Sequence, residues 1–163
     1  MATYSIRRAT LDDRASLIRH RFRMFEDMGV TSPEHPAQPG SSEAFSAWLD
    51  GHLPAGRYVA WLVDAVDEAG ARSVVAGGGA TLIPWPPGPR YPSGRLAFVY
   101  NVYTEPEHRG HGLARLVMET IHAFCREQGI GSVGLNASTV GQPLYESMGY
   151  RVTPSPMMFL SLD

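Results

Sequence analysis

The spacing of apolar positions divides this chain into short strands and amphipathic helices. From Leu113 onward, Leu116, Val117, Ile121 and Phe124 recur every three or four residues, which predicts a helix that buries one stripe. Just upstream, Leu96 to Tyr103 is rich in β-branched and aromatic residues and reads as a strand. Near the start, Tyr4-Ser5-Ile6 predicts a strand, followed by a helix from Leu11 to about Met28 with Leu17, Ile18, Phe22 and Phe25 on one side. Thr10 and Asp13 are placed as a cap and its reciprocating acid, and Gly29 as the stop. Ser42 is expected to cap a second helix, on which Phe45, Trp48, Leu49 and His52 share a face. Two strands follow, Tyr58 to Asp64 and Val74 to Ile83, joined by the turn Asp67-Glu68-Ala69-Gly70. Gly77-Gly78-Gly79 inside the second of these predicts a bulge or a close backbone approach.

Beyond the Leu113 helix, the pattern gives a strand at Ser132 to Ala137, a short helix bounded by Pro143 and Gly149, and a last strand at Met157 to Leu162. The order is β-α-α-β-β-β-α-β-α-β, with no repeat or linker to divide it. That predicts one α+β domain over residues 1–163, with a central, mostly antiparallel mixed sheet flanked by helices. The unit from Leu96 to Ala137 is expected to be a right-handed parallel crossover. Two proline-rich segments, Thr31 to Ser42 and Trp85 to Gly94, read as connectors, and the first is longer than a connector requires, as binding loops often are.

Composition narrows the class without naming a function. A chain of 163 residues, 44% hydrophobic and 18% charged, suits a globular domain large enough to bury a core. No apolar run approaches the roughly 18 residues of a spanning helix. The arginine-rich stretch from Arg7 to Phe25 is interrupted by Asp12 and Asp13 and follows a strand, so it is read as part of the fold rather than a targeting segment. A single cysteine, Cys125, lies on the buried helical stripe and fits a reducing compartment, so a cytoplasmic location is expected. A net charge of −2 offers no general attraction to nucleic acid, and the six histidines show no metal-ligand spacing.

The chemistry concentrates in the turn Glu105-Pro106-Glu107-His108-Arg109-Gly110-His111-Gly112-Leu113-Ala114. A helix that starts there leaves its first N–H groups unpaired and points the positive end of its dipole forward, a natural site for phosphate. The dinucleotide fingerprint fails because Arg115 stands where its third glycine is needed, and a P-loop is excluded because the chain has no lysine. What remains is Arg-x-x-Gly-x-Ala, from Arg109 to Ala114. Some thirty residues on comes Leu144-Tyr145-Glu146-Ser147-Met148-Gly149-Tyr150. Together, and in this order, the two motifs resemble those of the GCN5-related N-acetyltransferases, specifically from Phe98 to Tyr150 and only in architecture before that.

The resemblance implies the acyl-CoA N-acyltransferase fold, acetyl-CoA as acyl donor, and a small-molecule or peptide amine as acceptor. It implies that the backbone of Val102 and Thr104 pairs with the pantetheine arm and holds the carbonyl oxygen as it gains charge. Amides of Gly110, His111, Gly112, Leu113 and Ala114 take the pyrophosphate, with the Arg109 side chain adding a charged contact. Asn136 and Ser138 either touch the cofactor or cap local turns. Tyr145 is the candidate for the group that hydrogen-bonds the departing sulfur, and Leu144 and Met148 share a face that leaves it pointing elsewhere. The general base stays open among Glu105, Glu26, Asp27 and a water relay through Tyr100 or Tyr103. Glu26, Asp27 and Glu34 hint at a cationic amine, and the last strand suggests a homodimer. The competing readings are a non-catalytic acyl-CoA-binding sensor or partner module of the same fold, and a nucleotide-binding protein using the same loop.

Overall fold

The computed structural model describes residues 2–89, 92–154, 157–160 and 162. Five strands form one sheet in the order β1-β2-β3-β4-β5: β1 (Thr3–Arg8), β2 (Tyr58–Val66), β3 (Arg72–Pro84), β4 (Arg95–Thr104) and β5 (Val133–Leu135). The first four are antiparallel neighbours, and β4 pairs parallel with β5 over Ala97 to Val99. Helices α1 (Arg14–Asp27) and α2 (Ser41–His52) cover one face. The other face carries α3 (Leu113–Glu127), with α4 (Gln142–Ser147) at its margin. β2 is apolar and buried almost throughout because both of its faces are covered: Val59, Trp61 and Val63 meet α3, while Tyr58, Ala60 and Leu62 meet Leu17 and Leu49.

The predicted order holds through its ninth element, with local adjustments. The first helix opens with a tight turn at Leu11–Asp13, where the Thr10 N–H donates to Asp13 Oδ2 at 2.9 Å. Arg7 ties this turn to the sheet, its guanidinium bridging Asp13 and the buried Asp64 at 2.7 and 2.8 Å. The second helix is capped by Gly40 in the left-handed region (φ 82°), not by Ser42. The final strand is not formed: Met157 to Leu160 are exposed and outside the sheet, Leu162 is likewise exposed and unpaired, and Ser161 lies outside the described residues. Among the described residues the sheet ends at β5, and this apolar stretch does not extend it.

The three glycines of β3 serve close approach. A Cβ on Gly79 would stand 2.5 Å from the Tyr58 ring and 2.6 Å from the Val59 carbonyl, and one on Gly78 would stand 2.9 Å from Val117 of α3. The register breaks at the same level, since Gly77 pairs with Tyr103 but Gly79 with Tyr100. The additional residue therefore belongs to β4, where Asn101 adopts φ 60°. The pairing of β4 with β5 ends at Val99 and Leu135, just before this bulge.

Candidate active site

Past Val99 the β5-side edge of β4 has no strand pairing, which leaves an opening there, and the bulge decides which backbone groups face it. Glu105 N–H donates to Val75 O on β3 at 2.8 Å, so by alternation Thr104 and Val102 direct their amide groups the other way, toward the opening. The Thr104 carbonyl is engaged by Arg109 Nε at 3.0 Å. In front of the opening, Gly110 and Gly112 both sit in the left-handed region (φ 79° and 74°). A Cβ on either would meet no protein atom, so the glycines answer a backbone requirement and leave clear space before the helix. The first bond inside α3 runs from Leu116 N–H to Gly112 O at 3.0 Å, so the N–H groups of Leu113, Ala114 and Arg115 have no partner within the helix. These donors and that space fit a diphosphate.

Several anticipated side chains are otherwise engaged. The Arg109 guanidinium bonds the Thr104 carbonyl and Asp27, and lies 5.8 Å from the Tyr103 ring centroid, so it clamps the loop to β4 and α1. His111 is exposed, its Nδ1 3.0 Å from the Arg109 carbonyl, and its ring leans on Tyr4. The Ser138 hydroxyl accepts the Gly141 N–H at 3.0 Å, ahead of α4. Asn136 follows the end of β5 and is exposed.

Tyr145 does not point away from the Met148 side as expected. Both pack on the α3-side core, three residues apart on one turn, and Tyr145 meets Tyr150 edge-on at 5.8 Å. Its hydroxyl bonds no described residue, and burial raises its pKa. A phenol made less acidic in this way is better suited to donating a hydrogen bond than to surrendering its proton.

Among the candidate bases, Glu105 is a structural carboxylate. It bonds Arg19 Nε at 3.2 Å, Arg23 at 2.8 Å and the Tyr103 hydroxyl at 3.2 Å. Burial pushes its pKa up, but the neighbouring guanidinium groups outweigh this and leave it below the usual carboxylate value. Tyr103 is buried in the same cluster, Asp27 is held by Arg109, and Glu26 is solvated at the end of α1. Cys125 is 1% exposed, and burial holds its thiol protonated.

On the α1–α2 face, a cavity of about 710 Å³ opens beside the bulge at Tyr100 and Asn101. Its wall is largely aromatic, with Phe22, Phe25, Phe45 and Trp48, and its charged member is Arg21. None of Glu26, Asp27 and Glu34 lines it, so the acidic surroundings inferred for a cationic acceptor are not found at this wall. Periodicity placed Phe22 and Phe25 on one side of α1 and Phe45 on a shared face of α2; all three border the cavity, and Phe45 also packs against the core beneath α1 and α2. His52 also lines it, stacked on Trp48 at 4.2 Å, with Nδ1 2.8 Å from the Trp48 carbonyl. A carbonyl only accepts, so Nδ1 carries a hydrogen.

Among the described residues no group of three or more His, Cys, Asp or Glu side chains is arranged to hold a metal, and no helix is long and apolar enough to cross a membrane.

Comparison with known proteins follows the same lines. A GCN5-related N-acetyltransferase from Ralstonia eutropha superposes with a TM-score of 0.79 at 31% identity, covering 97% of this chain and 99% of that one. A predicted acetyltransferase from Clostridium acetobutylicum, crystallised with acetyl-CoA, shares the fold at a TM-score of 0.84 and 24% identity, over 97% of this chain and 96% of that one. Human N-acetyltransferase 8 is 33% identical over 58 residues, which are 34% of this chain and 26% of that protein, so the match spans about a quarter of that relative's length. The family model for acetyltransferases of the GNAT type matches residues 21–150, and the chain belongs to the acetyltransferase (GNAT) family.

Proposed function

We propose that this protein is an N-acetyltransferase that moves acetyl from acetyl-CoA directly to a primary amine of a small molecule or peptide. The observation that carries this is the meeting, at one bulge of β4, of an anion-receptive helix start on one side and a roomy aromatic cavity on the other. Bound acetyl-CoA would supply the reactive thioester.

Amides of Gly110, His111, Gly112, Leu113 and Ala114 bind the diphosphate, and the exposed α3 terminus adds its dipole. The outward-facing amides of Val102 and Thr104 align the pantetheine arm as a further strand would be aligned. A backbone N–H there stabilises the charge that builds on the carbonyl oxygen. Asn136, at the end of β5, lies on the other side of that opening and is assigned to the same arm. Ser138 shapes the turn that carries α4, and Arg109 keeps the loop in place. Tyr145 donates a hydrogen bond to the developing thiolate. Direct transfer is favoured over a covalent intermediate because the chain's one thiol is buried and protonated. The exposed stretch Met157 to Leu160 supports association of two copies through that segment.

The test is acetyl-CoA turnover over a panel of amines, read as released thiol, with mass spectrometry of the product. An acetylated amine formed only in the presence of protein is expected. Tight coenzyme A binding with no product from any amine would instead favour the non-catalytic module.

A further inference from the structure

Helix α1 carries four arginines, and three are paired with carboxylates: Arg14 with Asp50, and Arg19 and Arg23 with Glu105. Arg21 is the exception. No ion pair among the described residues includes it, and it is turned into the aromatic cavity. Its guanidinium lies over the rings of Phe25 and Phe45, 4.8 Å from each centroid, and one Nη donates to Asn101 Oδ1 at 2.7 Å. Asn101 in turn donates to the buried Tyr58 hydroxyl at 3.1 Å, so the arginine is anchored at the bulge itself. The bond to Asn101 uses one of the five donors of the guanidinium.

Removing a cation from water beside two phenylalanines costs free energy unless an anion completes it. Burial lowers the Arg21 pKa, the expected effect of that desolvation, and no carboxylate among the described residues offsets it. The other titratable groups at the wall are Tyr100 and His52, and neither is an anion at neutral pH.

We infer that the acceptor amine also bears a carboxylate, bound by the free edge of Arg21, and an apolar or aromatic body seated among Phe22, Phe25, Phe45 and Trp48, as in a hydrophobic amino acid. This rests on the acetyltransferase assignment and names its substrate class. A single guanidinium matches the charge of one carboxylate, and a phosphate dianion would call for a further cation. The cavity volume is that of an ordinary small-ligand site, with ample room for a side chain of tryptophan size.

The experiment measures calorimetric binding of phenylalanine, leucine and tryptophan, and of the three amines that lack their carboxylates, to the intact protein and to Arg21→Met. Arg21→Lys serves as a second variant, and circular dichroism checks folding. Wild type is expected to bind at least one amino acid about tenfold to a hundredfold more tightly than its decarboxylated partner, the range of a charge-assisted contact. Arg21→Met removes that preference, and Arg21→Lys keeps part of it. No carboxylate preference anywhere in the panel, or a preference that survives Arg21→Met, overturns the inference. Tighter binding of phosphoethanolamine than of every amino acid does so too. A carboxylate preference that depends on Arg21, without acetyl transfer, would leave the carboxylate site at Arg21 standing and defeat the catalytic assignment, and with it the naming of an acceptor.

Discussion

His20 makes acid stability a direct test of how α1 packs on β4. Its ring is 2% exposed, 5.1 Å from the Tyr103 ring, and neither nitrogen has a hydrogen-bond partner. Burial, aided by Arg19 and Arg23 and opposed by Glu105, lowers its pKa from 6.5 to about 4. The Val74 carbonyl opposes the shift only slightly and is itself engaged by Arg19. Because the folded value lies below the unfolded one, the unfolded chain binds the extra proton first. Stability is therefore fully present above pH 6.5 and is lost as pH falls toward 4. The loss from this one group is about 2 kcal/mol between pH 7 and pH 5, and about 3 kcal/mol once both states are protonated. Urea unfolding followed by tryptophan fluorescence measures it. His20→Leu removes the group and leaves no polar atom unpaired, so it should match wild type within about 1 kcal/mol at pH 7 and flatten the pH dependence by about 2 kcal/mol. His122, also lowered by burial, shifts both proteins alike and cancels in the difference. Equal losses between pH 7 and pH 5 in wild type and His20→Leu would refute the packing argument.

Removing the Tyr145 hydroxyl as Tyr145→Phe should lower kcat about tenfold to a hundredfold, the worth of a hydrogen bond to a charged atom, while coenzyme A affinity changes little. Released thiol is a clean readout because Cys125 is buried, and an unchanged kcat would remove the assigned role. Gly79→Ala places a methyl 2.5 Å from the Tyr58 ring and 2.6 Å from a backbone oxygen, so a loss of about 2 kcal/mol in urea unfolding is expected. A variant as stable as wild type would show that β2 and β3 have more room than their spacing indicates.

What the sequence carried best was local. The turn from Arg109 to Ala114 and the helix after it could be placed because glycine spacing and apolar periodicity act within a few residues of each other. Tertiary partners were beyond its reach. The glycines of β3 announced a bulge or a close backbone approach; the close approach is theirs, but the extra residue of the bulge belongs to β4, since a register is the property of a strand pair. Glu105 looked available as a base until two arginines more than eighty residues upstream were found against it. Arg21 was one more arginine in a basic helix, and nothing nearby in sequence marked it as the member left without a carboxylate. Met157 to Leu160 had a strand's composition but lie outside the sheet, since composition does not by itself dock a segment on an edge.

Coenzyme A binding measured by titration calorimetry tests the central claim most directly, with wild type compared against Gly112→Val. Gly112 holds φ 74°, which a β-branched residue resists, and its Cβ would point into the space assigned to the diphosphate. Wild type should take up one coenzyme A per chain, and the folded variant should bind at least about tenfold more weakly. No heat of binding from well-folded wild type, or equal affinity in the two proteins, would contradict the assignment of this loop.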